Sequence, residues 1–422
     1  MVRLAILAVM LGLTIREWRH GPNKFIYYLT LTGLFAFFSL RYGQGTDYLT
    51  YLSIYANVQP LSSFPSYAAF QYNKIEIGFF YLMSFFRMLH VHYVVFVAIL
   101  TLFSLFMIDR FLQRFCPLPF FGLTCFFAVY SLVYMESGIR QLFSLSVALG
   151  WIYPAWQKRR RVLALIGVVF ASAMHNSAVV MLLLPLLFWK EGKLFFIEWK
   201  KKTTLLVLGA GLALVLAVNF INLMPLISLL PARLEYTISS YYLENHNLSL
   251  TALANRGLFM LIVFFLALRA KDELSPREKF LFNLYAVGFC VYLVFMSFDL
   301  IASRTNVYFR IVEIALIPAL FARNRDFVRR LRVAFPAMLL LLAFLYVKDI
   351  TAVMDYSEYY SSKPWEYPYI TIFNSDELLD AKYVNIKNAN AMNAYQTGGA
   401  SWDEYYNSLL RKPANRSRIT SY

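Results

Sequence analysis

Arginine, histidine and carboxylate side chains recur at the ends of long apolar runs, positions from which they could bind an anion and move a proton. Four such groups surround Arg41, Arg140, His175 and Arg304. A guanidinium stays charged at any physiological pH and binds phosphate through two parallel hydrogen bonds. Placing a charge in a bilayer costs about 2.5–3.5 kcal/mol, so such charges often mark a functional site. These residue types therefore predict a binding site for an anionic, phosphate-bearing ligand.

The first group contains Arg41, Asp47, Tyr48 and Tyr51, in the segment RYGQGTDYLTY. The two glycines permit a tight turn, and Thr46 or Asp47 could cap the helix that follows. A simple helix end, from which Arg41 extends to the membrane interface, is an equally good interpretation.

The second group, Ser137-Gly-Ile-Arg140-Gln141, begins the apolar run 139–156. Arg140 lies at the N-terminus of the predicted helix, where a positive charge opposes the helix dipole. A phosphate bound at the same helix end would offset this conflict, which favours a binding role over anchoring at the interface.

The third group is Ala173-Met-His175-Asn-Ser177, between two short apolar runs. His175 could accept a proton or donate a hydrogen bond to a phosphate, and it could also be an ordinary hydrogen-bonded turn residue. His90 and His92 are predicted near the opposite face, so no metal site is expected.

The fourth group contains Arg304, Tyr308 and Arg310. Arg310 could form an ion pair with Glu313, three residues later on a helix, whereas no such partner is predicted for Arg304. Arg256, at the start of its own apolar run, is a weaker fifth candidate. The motifs of ATPases, serine hydrolases and zinc proteases are absent from the sequence.

The composition indicates that membrane-spanning helices position these groups. Of the 422 residues, 59% are hydrophobic and 15% are charged, whereas a water-soluble domain has about 25% charged residues. An ordinary soluble enzyme and a disordered chain are therefore excluded. The pattern predicts an all-α polytopic integral membrane protein with about 12–13 transmembrane or re-entrant helices. The apolar runs are 4–15, 25–40, 76–89, 92–108, 119–134, 139–156, 162–174, 177–189, 204–229, 255–268, 280–298, 305–321 and 333–348.

The net charge of +16 is concentrated in short connections between these runs. Six hydrophilic segments contain 23 of the 40 Lys and Arg residues and only seven acids, so they hold the entire excess. The positive-inside rule predicts that they face the cytoplasm. Because no continuous basic face is visible, nucleic acid is not an expected partner. The segments are 16–24, 110–118, 158–161, 190–202, 269–279 and 322–332.

This topology places the candidate groups at or near the outer face of the membrane. One apolar run is in excess before the second basic segment, so 76–89, which begins at Glu76, is predicted to be re-entrant or interfacial. A misassigned neighbouring span is the alternative. The segment 299–304 is predicted to be an outer loop. Residues 1–349 are expected to form the transmembrane domain, with an uncleaved first span. The polar segment 350–422 is expected to be an extracytoplasmic tail, either a small cap over the outer face or partly disordered.

The three cysteines, Cys116, Cys125 and Cys290, are too few for a disulfide framework. They lie in or beside apolar runs, and we predict that they are small core residues.

Several of these elements occur in an order that resembles one known family. They are Arg41…Gly45-Thr-Asp-Tyr48…Tyr51, Glu76-x-Gly78-Phe, Ile139-Arg-Gln141 and His175-x-Ser177-Ala. Over about residues 41–180 the sequence resembles the EpsG-like branch of the Wzy-type polysaccharide polymerases, with a looser similarity around Arg304 and Arg310. Each motif is weak alone, and it is their order and spacing that make the resemblance specific.

The resemblance implies a GT-C-like glycosyltransferase of the bacterial inner membrane with its active site facing the periplasm. Such an enzyme joins undecaprenyl-diphosphate-linked oligosaccharide repeat units into O-antigen, capsule or exopolysaccharide. The lipid-linked oligosaccharide is both donor and acceptor, and a chain-length-regulating membrane protein is an expected partner. Neither a metal nor another cofactor is expected.

The resemblance and the chemistry of the residues together suggest roles for the candidates. The residues expected to bind the diphosphate are Arg140, Arg304, Arg310, Arg41 and Arg256. The candidate proton acceptors are His175, Asp47 and Glu76. The residues expected to contact the sugars are Gln141, Tyr48, Tyr51 and Tyr308.

Other membrane proteins could also use an arginine-rich outer site. A flippase for the same lipid-linked sugar would distribute its cations through a pore, and an O-antigen ligase is poorly separated from a polymerase by sequence. A transferase that uses a monophosphate-linked monosaccharide usually has paired acids in its first external loop, which Asp47 and Glu76 could imitate. A purely structural protein is the least favoured alternative, because it would not need so many external charges.

Overall fold

The computed structural model describes residues 1–67, 75–187, 249–270, 274–356 and 363–375, with the single residues Val215 and Ser228. These residues are mostly helical and contain no strand. The helices are α1 (Val2–His20), α2 (Lys24–Leu40), α3 (Tyr48–Asn57), α4 (Ile77–Met88), α5 (Tyr93–Phe115), α6 (Pro119–Tyr130), α7 (Ile139–Val147), α8 (Tyr153–Gln157), α9 (Arg161–Met174), α10 (Leu183–Leu187), α11 (Leu250–Arg269), α12 (Pro276–Val294), α13 (Asp299–Arg310), α14 (Glu313–Arg323), α15 (Arg325–Leu331) and α16 (Ala334–Tyr356).

Wider and tighter helical turns connect some of these elements. A first π segment (Ser131–Ser137) continues α6, and a second π segment (Ala148–Ile152) joins α7 to α8. A 3₁₀ helix (Asn176–Leu182) follows α9. Single π turns often occur at functional sites, because the extra residue redirects the side chains around it.

Four of the described helices are long and apolar enough to cross a membrane, and α13 with α14, bent by 48°, would make a fifth. The predicted class, an all-α polytopic membrane protein, is confirmed. The predicted number of helices stays a prediction, because the runs 177–189 and 204–229 extend beyond the described residues. The four helices are Tyr93–Phe115, Pro119–Ser137, Leu250–Arg269 and Ala334–Asp355.

Helix α1 defines the two ends of the bundle, because Arg3 and Glu17 lie about 20 Å apart along it. Arg3 pairs with Glu136 at 3.0 Å. Glu17 accepts the backbone N–H groups of Phe120 and Phe121 at 3.0 and 2.8 Å. Helix α6 therefore runs antiparallel to α1, and we name the two ends the Arg3 end and the Glu17 end.

The basic segments come together at the Glu17 end. Arg323 donates to Glu278 at 2.9 Å and at 2.5 Å. Arg277 donates to the carbonyl oxygen of Arg114 at 3.1 Å, and Arg325 donates to that of Trp18 at 2.5 Å. Four of the six segments thus contact one another, which is the arrangement expected if they share one side of the membrane.

The short helix α4 begins and ends on the Arg3 side. Its N-terminal neighbour Glu76 contacts Arg140, which follows the Arg3 partner Glu136 by four residues. At its other end the chain enters α5, whose first residue Tyr93 donates to the carbonyl oxygen of Tyr48 at 3.1 Å. A helix of this length spans about 18 Å, less than the ~30 Å hydrocarbon core. This agrees with the prediction that 76–89 is re-entrant or interfacial.

Three expectations from the sequence are wrong. Residues 299–304 are the first turns of α13 rather than a loop, and Asp299 favours a helix start there because an acid complements the dipole. His90 and His92 lie beside the start of α5 at the Arg3 end, because α4 does not cross. Cys116 and Cys125 are buried, but Cys290 is exposed on α12.

Part of the predicted tail caps the Arg3 end. Helix α16 continues to Tyr356. The C-terminal segment (363–375) then folds back, and its Ile370 carbonyl oxygen accepts the N–H of Tyr42 at 2.9 Å. Gln44 donates to the Pro368 carbonyl oxygen at 2.5 Å. Residues 376–422 lie outside the described residues.

Candidate functional site

Arg140 lies at the centre of a polar cluster at the Arg3 end. Its Nη1 donates to Glu76 Oε2 at 2.5 Å, and its Nε donates to the Tyr51 hydroxyl at 2.9 Å. The guanidinium carbon lies 5.2 Å from the centre of the Tyr51 ring. About a fifth of the Arg140 side chain, 19%, remains exposed. The charge is therefore held in one orientation and is still open on one side.

Two carboxylates from different elements flank this arginine. Glu76 precedes α4 and also accepts the backbone N–H of Asn176, at 3.3 Å. Asp47 precedes α3 and accepts the hydroxyl groups of Thr46 at 3.0 Å and Tyr51 at 3.4 Å. Glu76 is buried, whereas Asp47 is only partly buried. Asp47 is thus the more accessible of the two carboxylates.

His175 ends α9, and its Nδ1 contacts the hydroxyl of Ser177 at 2.6 Å. The backbone N–H of Ser177 also donates to Nδ1, at 3.4 Å. A backbone N–H can only donate, so Nδ1 is the acceptor and the proton of the neutral ring is assigned to Nε2. Burial, with the charges of Arg140 and Arg304, lowers the pKa of His175 to about 3, so the ring is neutral at pH 7.

A chain of hydroxyl groups joins His175 to α7 and α13. Ser177 contacts the Tyr308 hydroxyl at 3.4 Å, and Tyr308 in turn contacts Ser144 at 3.0 Å. Gln141 donates to the carbonyl oxygen of Arg304 at 2.9 Å and contacts Ser177 at 3.5 Å. This network fixes the backbone of α13 against α7, the helix that carries Arg140. Arg304 itself is exposed.

A second group of arginines surrounds Tyr134, in the first π segment. The charges of Arg310, Arg256 and Arg304 all act on the Tyr134 phenol. Arg304 also acts on His175, so its charge influences both the Arg140 cluster and this second group. Four of the five predicted diphosphate-binding arginines are thus linked through common neighbours.

Arg310 and Arg256 lie deeper in the bundle. Arg310 donates to Glu313 at 3.3 Å, across the bend between α13 and α14, and Tyr130 also donates to Glu313, at 2.7 Å. The predicted Arg310–Glu313 pair is present. The Arg256 guanidinium stacks 4.1 Å from the centre of the Tyr292 ring.

Arg41 is placed differently from the other candidates. It is only 2% exposed, and it donates to the carbonyl oxygens of Phe38 and Glu136, at 3.2 and 3.3 Å, and to that of Met135. Through its two Nη groups Arg41 therefore connects the end of α2 to the first π segment, whereas its buried Nε has no hydrogen-bond partner among the described residues.

The predicted sugar-contacting tyrosines are also buried. Tyr48, Tyr51 and Tyr308 are 2%, 5% and 0% exposed. Their rings pack within the bundle, so the predicted stacking on sugar faces is not available in this conformation. Tyr51 and Tyr308 contribute their hydroxyl groups to the polar networks.

The sequence analysis missed the ion pair that supports this end of the bundle. Arg3 donates to both oxygens of Glu136, at 3.0 and 3.1 Å, and to Gln44 at 2.9 Å. Both charges of the pair are almost fully buried. The sequence did contain a signal for this pair, since Glu136 lies between two apolar runs and a buried carboxylate needs a cationic partner. The roles of Tyr134 and Ser144 had no comparable signal.

A close contact between α4 and α9 sets the position of Glu76. A Cβ atom added to Gly78 would lie 2.7 Å from the carbonyl oxygen of Ala173. We therefore expect Gly78→Ala to push α4 outward, move Glu76 away from Arg140 and lower activity about tenfold or more. The matched control is Gly33→Ala, where nothing lies within 4 Å. Equal activity of the two variants, measured at equal amounts of folded protein, would contradict this.

The fold and these contacts define a class of protein, a polytopic helical membrane protein with a cationic, hydroxyl-lined site between its helices. A family model described as the EpsG family matches residues 24–361. The chain therefore belongs to the EpsG family, a Wzy-like polymerase family. Neither a curated protein nor a solved structure matches the chain.

Proposed function

We propose that the protein polymerises lipid-diphosphate-linked oligosaccharides by transferring the growing chain from its undecaprenyl diphosphate onto the incoming lipid-linked repeat unit. The observation that supports this most directly is the convergence of Arg140, Arg304 and His175 beside the partly buried carboxylate of Asp47. The basic segments come together at the Glu17 end, and by the positive-inside rule this supports our proposal that the site, at the opposite end, faces the periplasm.

The arginines would stabilise the charge that develops on the departing diphosphate. Arg304 is exposed and Arg140 is partly exposed, so both can reach a phosphate oxygen. A well-placed donor contributes about 3–4 kcal/mol of transition-state stabilisation. Arg256, which stacks on Tyr292, extends the positive field below them, whereas the charge of Arg310 is paired with Glu313. Because Arg41 is only 2% exposed and donates to three backbone carbonyl oxygens, we leave it out of the proposed diphosphate site.

Asp47 is the proton acceptor that best fits the contacts. Glu76 is already neutralised by Arg140, and Nδ1 of His175 is occupied by Ser177. In the proposed step the acceptor hydroxyl oxygen bonds to the anomeric carbon of the growing chain. The bond from that carbon to the diphosphate breaks, and its electron pair leaves with the lipid diphosphate. The hydroxyl proton passes to Asp47 and then to water, and the step uses no metal.

His175 would then donate its Nε2–H to a phosphate oxygen rather than act as the base. We expect His175→Gln, which keeps an N–H donor near that position, to retain activity within about tenfold. His175→Ala should lose about 10²–10³-fold. The rate of lipid diphosphate release measures the activity of both variants. If the two variants are equally inactive, His175 is the base.

The same proposal predicts how pH affects this residue. Since the pKa of His175 is lowered to about 3, protonation is disfavoured and the ring stays neutral well below pH 5. The ratio of the wild-type rate to the His175→Gln rate should therefore be constant across roughly pH 5–8.

The direct test supplies purified protein in vesicles with a lipid-linked repeat unit. A polymerase gives a ladder of products and one free lipid diphosphate for each bond formed. A flippase gives transbilayer movement without a new glycosidic bond, and a ligase gives polymer only when a different lipid acceptor is added. Either of the last two results would overturn the proposal.

A further inference from the structure

A cavity of about 200 Å³ opens at the Glu17 end, far from the proposed active site. It lies between the end of α5, the second π segment and the start of α9. Arg110, Lys158 and Arg160 contribute to its lining, together with Trp151 and Leu163. None of the described residues that line it is acidic.

The three cations are exposed at the mouth of the cavity. The neighbouring charges are directed elsewhere: Asp109 accepts from Gln113 at 3.2 Å, and Arg114 donates to Gln157 at 2.8 Å. The cavity therefore combines a strongly positive rim with an apolar wall, a combination that suits the phosphate of an amphipathic ligand.

The inner wall is shaped by a close helix contact. A Cβ atom on Gly150 would lie 3.0 Å from the Met107 Cα atom, so α5 and the second π segment touch at this level. The helix is wider at the second π segment, directly after α7. Pro154 and Ala155 continue the cavity wall from there toward the cationic rim. The cavity is thus closed where α5 and the second π segment touch, and the three exposed cations lie on its open side.

Exposed apolar side chains lead away from this rim along both flanking helices. On α5, Phe106, Leu102 and Ile99 precede Arg110 by four, eight and eleven residues and are 55%, 53% and 38% exposed. These spacings put them on one helix face.

A matching column continues on α9, where Ile166 and Phe170 follow Leu163 at helical spacing and are also exposed. Between the two helices lies α7, whose Phe143 ring stacks 4.5 Å from Phe103 and lies 6.2 Å from Phe170. The cationic rim therefore opens onto an apolar groove floored by α7.

We propose that this site binds the phosphate headgroup of an anionic bilayer lipid, with its acyl chains along the groove. A soluble phosphate would contact only the cationic rim. A zwitterionic lipid would place its own positive group beside the three cations of the rim, which is unfavourable. The proposal does not depend on the reaction at the other end of the bundle.

The test measures binding of phosphatidylglycerol to the full-length protein in detergent by native mass spectrometry. The variant is Arg110→Gln/Lys158→Gln/Arg160→Gln, and each cation removed should weaken binding about fivefold, roughly a hundredfold in total. Phosphatidylcholine and inorganic phosphate are the comparison ligands. Both should bind the wild-type protein far more weakly.

The matched control removes the same charge from exposed positions at the same end, Arg19→Gln/Lys24→Gln/Arg330→Gln, and should bind as the wild type does. A further variant, Leu163→Trp, keeps the charge but fills the cavity, and should also lose binding. Equal loss in the control and the cavity triple variant would overturn the proposal, because only net charge would then matter. Tight binding of inorganic phosphate would overturn the lipid assignment.

Discussion

Replacing Arg304 with alanine is expected to abolish long polymer, with a fall in the rate of chain growth of about 10²–10³-fold. Arg304 is the most exposed of the linked arginines, and its charge acts on both His175 and Tyr134. Its backbone, not its guanidinium, is held by Gln141. Its loss should therefore remove phosphate stabilisation and leave the packing intact. The readout is the polysaccharide ladder at equal protein levels.

The control for this experiment is Arg330→Ala, another exposed arginine at the opposite end of the bundle. It should give a wild-type ladder. Arg304→Lys should recover part of the activity, because an ammonium restores the charge but not the bidentate geometry. A ladder of wild-type length from Arg304→Ala would exclude this residue from the site.

Arg140→Ala should be equally inactive, but it would also lower the amount of folded protein. Its removal leaves the buried carboxylate of Glu76 without its cation. Adding Glu76→Gln should restore the protein level and not the activity. This separates the structural contribution of the Arg140–Glu76 pair from its chemical role.

Replacing Arg3 with alanine is the change expected to destabilise the protein most. Arg3 and Glu136 are 2% and 1% exposed, so the variant would leave a buried carboxylate without its partner. Removing one member of such a pair costs roughly 3–5 kcal/mol. Arg3 also holds the C-terminal segment, since it donates to the Pro368 carbonyl oxygen at 2.6 Å. The thermal unfolding midpoint in detergent measures the effect.

The control pair is Lys348–Asp349, in which 52% of the lysine and 22% of the aspartate side chain are exposed, far more than in the Arg3–Glu136 pair. Lys348→Ala should change stability by at most about 1 kcal/mol. The double variant Arg3→Met/Glu136→Gln should regain much of the loss of Arg3→Ala, since no unpaired charge remains. If Arg3→Ala unfolds at the same temperature as Lys348→Ala, the buried pair does not stabilise this end.

The grouping of Arg140, His175 and Arg304 could be predicted because each lies where an apolar run ends. A membrane brings such ends to one of two levels, so residues distant in sequence must share a face. The basic segments could be assigned to one end for the same reason. Membership of a polymerase family could also be predicted from the sequence, because short motifs in a fixed order identify the family.

The direction in which a side chain points could not be predicted from the sequence in the same way. Arg41 also lies at the end of an apolar run, yet its guanidinium turns inward to backbone carbonyl oxygens. The π turn around Tyr134 changes which side chains face the site, and no periodicity in the sequence predicts it. The first residues of α13 were predicted to form a loop, because several of them are polar and the apolar run begins only at residue 305.

The Arg3 contacts have a consequence for the order in which the protein can be assembled. Pro368 follows Arg3 by 365 residues. At ribosomal rates of about 5–20 residues per second, the last partner emerges roughly 20–70 s after the first helix. Until Glu136, 133 residues after Arg3, has been inserted, the Arg3 guanidinium has to remain near the lipid headgroups. Closure of the Pro368 contact is therefore a late, post-insertion event, and a chain interrupted before residue 368 would keep its first helix only partly secured.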